Sequence, residues 1–260
     1  MTRIQLALLI GAGLPLLVAI VLVADRRGFF RLDGFPTAFR RRMALGLLVV
    51  HLALTVLLPA FAGSRPVDPS KIRFSQLFVT QGALAAFLFL WWLLSNRPAC
   101  ADFLRLRSAS PLADAGTGVC LGVIGWGLTL VVGVVVAIVA RVVDLPGPEA
   151  VPPLVRWVAS LSAPEKALVV LSAMTVEEFY FRAFLQGRLG AVCASILFLL
   201  AHAGYGEPFV FVGLLAITAV LATAFRRTGS TIAPIAAHGT FNAIQLFVVL
   251  PVVMKALGAR

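Results

Sequence analysis

Long apolar runs follow one another along this chain with only short charged links between them, and this pattern constrains the fold more than any other feature. The runs cover residues 4–23, 43–62, 74–94, 117–140, 164–185, 190–202, 208–225 and 231–253. A helix crosses the hydrocarbon core of a bilayer in roughly 20 residues, so eight spans use about 160 residues and leave about 100 for loops and ends. Composition agrees. Of 260 residues, 60% are hydrophobic and 13% charged, and the mean hydropathy is +1.00. A water-soluble domain cannot hide that much apolar surface, and the low charge excludes a disordered chain. The expected fold is therefore all-α, a polytopic transmembrane bundle of about eight spans.

Local signals refine the spans. The first run is too long for a signal-peptide core, and no small-residue cleavage site precedes Asp25, so it is expected to remain as a mature helix. Trp91 and Trp92 close the third run, where indoles favour the headgroup level. Pro146, Pro148, Pro152 and Pro153 mark a loop, and residues 156–162 read as a short interfacial helix. Pro164 suits the first turn of the fifth span. The sixth is short, hence tilted or surrounded by protein. Gly118 and Gly122, four residues apart, are expected to let a neighbouring helix approach closely. No repeat, low-complexity tract or soluble domain interrupts the series. The chain reads as one membrane domain, with residues 1–163 as N-terminal helices plus the interfacial segment and 164–260 as the core that carries chemistry.

The formal charge of +11 would point a soluble protein toward nucleic acid. Here the basic residues sit in loops, which points instead to orientation and anionic headgroups, so the bilayer is the expected partner and nucleic acid is not. Arg26, Arg27, Arg31, Arg40, Arg41, Arg42, Arg97, Arg105, Arg107, Arg188, Arg226 and Arg227 fall in odd-numbered loops. Arg3, Arg65, Lys71, Arg73, Arg141, Arg156, Lys166, Lys255 and Arg260 fall on the other side. The denser first loop predicts cytoplasmic odd loops and both termini outside. Cys100, Cys120 and Cys193 form no CxxC pair, so neither a disulfide framework nor a thiolate zinc site is expected.

The acidic residues locate the chemistry. Nine of the 11 fall in loops or at span ends, and only Glu177 and Glu178 lie deep in an apolar run. An ionisable group there costs at least about 2.5 kcal/mol on insertion scales, so it is expected to serve a function. Glu178 and Arg182 are i and i+4 and can pair. Glu177 is turned by about 100° from Glu178 and faces elsewhere, which makes it a candidate general base. Of three histidines, His51 has no polar motif around it and reads as a core residue. His202 ends the sixth span, and His238 and Asn242 share one face of the eighth.

These residues carry a resemblance. Glu177-Glu178-Phe-Tyr-Phe-Arg182 resembles the EExxxR motif of the CAAX-protease and bacteriocin-processing family of intramembrane glutamic endopeptidases. Phe198 to His202 resembles its FxxxH motif, and His238 to Asn242 its HxxxN. Phe211-Val212-Gly213 is a weaker echo of a glycine-containing stretch. The resemblance covers about residues 164–247, and nothing in the first four spans is diagnostic. It implies an intramembrane active site in which Glu177 and His202 activate a water, His238 and Asn242 stabilise the oxyanion, and Glu178, Arg182 and Phe198 support the site. It implies no cofactor and no metal. The substrate is expected to be a membrane-anchored protein or peptide. Eukaryotic relatives cut prenylated tails, whereas bacterial ones process bacteriocin leaders or anchored tails of exported proteins. With 19 arginines against 3 lysines, a GC-rich bacterium and its inner membrane are the expected setting, and a prenyl group is not the first choice.

Three other readings stand beside it. Two carboxylates and two histidines also suit zinc, although no HExxH is present. Intramembrane Glu, Arg and His also suit a transporter, although the chain lacks two matching halves with broken spans. A non-catalytic scaffold or immunity protein on the same fold is the third.

Overall fold

The structure is a computed structural model that describes residues 1–62, 73–144, 153–203 and 208–256. Pro146, Pro148 and Pro152 of the expected loop lie outside these residues. So do Arg65, Asp68, Lys71, Glu149, Glu207 and Arg260. Among the described residues every regular element is helical and none is a strand.

In chain order the helices are α1 (Arg3–Arg26), α2 (Ala38–Phe61), α3 (Phe74–Leu94) and α4 (Pro111–Val142). The short α5 (Pro153–Ser160) is followed by α6 (Ala163–Ala201), α7 (Pro208–Thr228) and α8 (Ile232–Ala256). Among the described residues α1, α2, α3, α4, α6 and α8 are long and apolar enough to cross a membrane. The fifth and sixth apolar runs of the sequence form α6, which is broken at Gly190. There φ is +82°, a backbone conformation that glycine adopts without steric cost. The two arms of α6 are therefore separately directed pieces of one run.

Helix starts follow local chemistry. Before α6 the Ser162 N–H and hydroxyl both donate to the Glu165 carboxylate, at 2.8 and 2.7 Å, with Pro164 in the first turn, so Glu165 reaches back to the cap as in a capping box. Thr37 caps α2 through the Arg40 N–H. The predicted segment at 156–162 is helical over most of its length, as part of α5.

One core lies between α1, α2, α3 and α6. It holds Leu48, Leu84, Phe87, Trp91, Tyr180, Phe184 and Phe198, each at most 2% exposed. A second packs α7 against α8 through Ile217, Leu221 and Ala237. Outward, α4 presents Val131, Val134, Val135 and Ile138, each more than half exposed. Apolar side chains displayed along a whole helix face are stable where lipid is the solvent, and the chain is a multi-pass membrane protein.

Two expectations resolve in detail. Gly118 and Gly122 do face a neighbour, namely α8. A Cβ on Gly118 would collide with the Ala233 carbonyl oxygen, and one on Gly122 would stand 2.5 Å from that of Ala237. The two helices approach backbone to backbone along this stripe. Trp91, by contrast, turns inward. It is fully buried, and its indole N–H donates to Asp33 at 3.0 Å. A buried carboxylate needs donors, and that need outweighs the indole's preference for the interface. Trp92 donates to the Pro98 carbonyl at 2.8 Å.

The odd-numbered loops meet at one end. Asp33 in the first loop is bound by Arg188 through Nε at 3.0 Å and also through Nη2. Its carbonyl accepts from the Asn96 N–H at 3.4 Å. Thr231 donates from N–H to the Arg105 carbonyl at 2.9 Å and from its hydroxyl to that of Leu104 at 2.7 Å.

Candidate active site

The first arm of α6 does not run as a plain α-helix. Ala173–Glu177 and Phe179–Gln186 are wound as π-helix, with Glu178 between them. Such turns redirect side chains and concentrate at functional sites. Glu177 and Glu178 still diverge, as their spacing predicts.

Glu178 is fully buried. One of its oxygens accepts from Arg182 Nε at 3.1 Å, so the expected i,i+4 pair forms. The other oxygen meets His238 Nδ1 of α8 at 2.8 Å. Two cationic or donor groups thus neutralise this carboxylate, and α6 is tied to α8 through it. Arg182 is equally buried. Its Nη1 and Nη2 have no hydrogen-bond partner among the described residues, and the guanidinium lies 5.3 Å from the centre of the Phe198 ring, within cation–π range.

Glu177 faces the other way. Its Oε2 stands 3.9 Å from His202 Nε2, across the break at Gly190. Its Oε1 accepts from Gln81 Nε2 of α3 at 3.3 Å. The Glu177 and His202 side chains keep 12% and 14% of their surface exposed, whereas Glu178 and Arg182 keep none. The first pair therefore keeps a partly open face, and the second is sealed within the protein.

Phe198 and His202 act together. His202 Nδ1 is 2.7 Å from the Phe198 carbonyl oxygen. A carbonyl only accepts, so Nδ1 carries the hydrogen and Nε2 presents its lone pair toward Glu177 in the neutral ring. The Phe198 ring lies 4.4 Å from the imidazole, centre to centre, and 4.9 Å edge-on to Phe181. It fills the space between His202 and Arg182 and fixes both.

The fold thus gathers Glu177, Glu178, Arg182, Phe198, His202 and His238. Asn242 lies one turn beyond His238 on α8 and is half-buried. His51 is a core residue, stacked on Phe87 at 4.4 Å and edge-on to Tyr180 at 5.0 Å. Its Nε2 lacks a hydrogen-bond partner there. Gly213 of the weaker echo packs toward Thr129 of α4, with 3.0 Å between that side chain and an added Cβ. Among the described residues no group of three or more His, Cys, Asp or Glu side chains is arranged to hold a metal ion. A cavity of about 270 Å³ opens at the loop end beside Asp33, Asp102, Arg105 and Arg188, and no motif residue lines it.

Gln81 is a neighbour that the motifs do not reveal. Its only sequence signal is an amide inside an apolar run, where polar groups seek interhelical partners. The glycine stripe of α4 is the other contribution from the first four spans, because it seats the helix that carries His238.

Residues 159–244 match the family model described as Rce1-like, type II CAAX prenyl endopeptidase. The matched segment contains all three motifs and supports the family resemblance they carry. No curated protein and no solved structure matches the chain.

Proposed function

We propose that this chain, similar over residues 159–244 to a CAAX-type intramembrane protease family, is an intramembrane endopeptidase in which Glu177 and His202 activate water against a peptide carbonyl. One observation carries the reading. Of two adjacent glutamates, Glu178 is buried and neutralised by Arg182 and His238, while Glu177 is partly open and faces an imidazole at 3.9 Å.

The geometry suits a water about 2.8 Å from both Glu177 Oε2 and His202 Nε2, off the line between them. Such a water donates one hydrogen to each and keeps an oxygen lone pair for attack. As the new C–O bond forms, the water's proton passes to Glu177 and the carbonyl oxygen becomes an oxyanion. His238 and Asn242 are assigned to that oxyanion. His238 Nδ1 is committed to Glu178, so Nε2 is the atom that serves. It donates as imidazolium, with Glu178 as counter-ion. Collapse then breaks the C–N bond, and Glu177 returns its proton to the leaving amine. No cofactor enters these steps.

The substrate in this reading is a membrane-anchored protein or peptide, and the setting is a bacterial inner membrane with the odd loops cytoplasmic. The test is cleavage of a panel of membrane-anchored peptides, lipidated and not, by the purified protein in lipid with a strong chelator present. A new amine terminus that depends on Glu177 is the expected result. Activity lost to chelation and restored by zinc supports the metal reading instead. Solute flux without cleavage supports a transporter.

A further inference from the structure

Gln81 lies on α3, outside the segment that resembles a known family. Its Nε2 donates to Glu177 Oε1 at 3.3 Å. An ionised carboxylate offers only acceptors, so the NH2 end of the amide must be the end turned toward it. The other end is then stranded. Gln81 Oε1 is buried and has no hydrogen-bond partner among the described residues. A buried unpaired acceptor destabilises a fold, and a methionine would fill the same volume without one. The amide's compensating contact is therefore the bond to Glu177. With Oε1 of Glu177 held by Gln81, Oε2 is the oxygen left facing His202. Phe198 and its carbonyl restrain the imidazole on the opposite side.

We infer that Gln81 is a positioning residue: it holds Glu177 through one oxygen so that the other stays on the His202 side, where the attacking water is bound. The inference rests on the protease reading. It makes α3 part of the catalytic apparatus through a hydrogen bond, beyond its role in packing.

The experiment compares wild type, Gln81→Met, Gln81→Glu and Glu177→Gln on a membrane-anchored peptide that the wild type cleaves. Gln81→Met keeps the shape and removes the donor. It should lower kcat about tenfold or more, as small misplacements of reacting groups do, with KM unchanged and Tm within a few degrees of wild type, because the stranded amide oxygen is lost together with the bond to Glu177. Gln81→Glu turns a second carboxylate toward Glu177 and should be worse. Wild-type kcat in Gln81→Met overturns the inference, as does a loss of kcat matched by a loss of Tm. An infrared readout separates this inference from the protease reading. The carboxylate band of Glu177, assigned by its absence in Glu177→Gln, should shift in Gln81→Met even if no peptide is cleaved. An unshifted band overturns the assignment of Gln81, whereas a wild type that cleaves nothing while the band shifts overturns only the protease reading.

Discussion

Glu178 and His238 meet at 2.8 Å between Oε1 and Nδ1, across two helices, while the other Glu178 oxygen holds Arg182 on its own helix at 3.1 Å. This carboxylate links three roles. It is the counter-ion of a fully buried guanidinium, it orients the His238 ring through Nδ1, and it docks α6 on α8. In this account Glu178 acts on the reaction only through His238.

Loss of Glu178 should therefore show in stability first. Glu178→Ala leaves Arg182 buried without a counter-ion, and breaking such a pair costs about 3–5 kcal/mol. The double variant Glu178→Ala with Arg182→Met removes both charges and should recover much of that loss. Cleavage should stay low in both, because His238 has lost its partner. Thermal unfolding in lipid, set beside turnover per folded molecule, separates the two effects in one double-mutant cycle.

The α4–α8 contact predicts a graded series among glycines. Gly118→Ala and Gly122→Ala drive a methyl into α8 backbone oxygens. Overpacking of this kind costs about 1–3 kcal/mol, and it shifts the helix that carries His238, so turnover should fall as well. Gly116→Ala and Gly127→Ala meet nothing within 4 Å and should change neither quantity. Tm and kcat of the four variants check the series.

At the loop end, Asp33 binds Trp91 and Arg188 at once and is 6% exposed. The Arg188 guanidinium also lies 4.1 Å from the Phe184 ring centre. Asp33→Asn removes the charge that compensates Arg188 and should cost about 3 kcal/mol. The first loop loses its main anchor with it. Trypsin should then cut among Arg26, Arg27, Arg31, Arg40, Arg41 and Arg42 faster than in wild type, while the folded fraction keeps its turnover. Unchanged digestion would count against the anchoring role.

Much of the candidate site was legible in the sequence because charge is scarce there. A carboxylate pair inside an apolar run stands out, and the i,i+4 offset correctly separated Glu178, which meets Arg182, from Glu177, which does not. Pro164 marked the start of α6. Other features left little trace. Gln81 is a single amide with no periodic partner, and its role depends on a contact 96 positions away. The π winding around Glu178 has no composition signal. Trp91 followed a buried carboxylate instead of the interface, since tertiary hydrogen bonding outweighed its positional preference. The glycine spacing on α4 announced a close neighbour but not that the neighbour would be the helix of His238.

The central claim is that Glu177 activates the attacking water, and Glu177→Gln tests it most directly. The substitution preserves shape and can still accept from Gln81, but it cannot take a proton. In lipid, with a strong chelator present and on a peptide that the wild type cleaves, kcat should fall by a factor of about 10³ or more, with Tm within a few degrees of wild type. Turnover at the wild-type rate by folded Glu177→Gln protein would contradict the account.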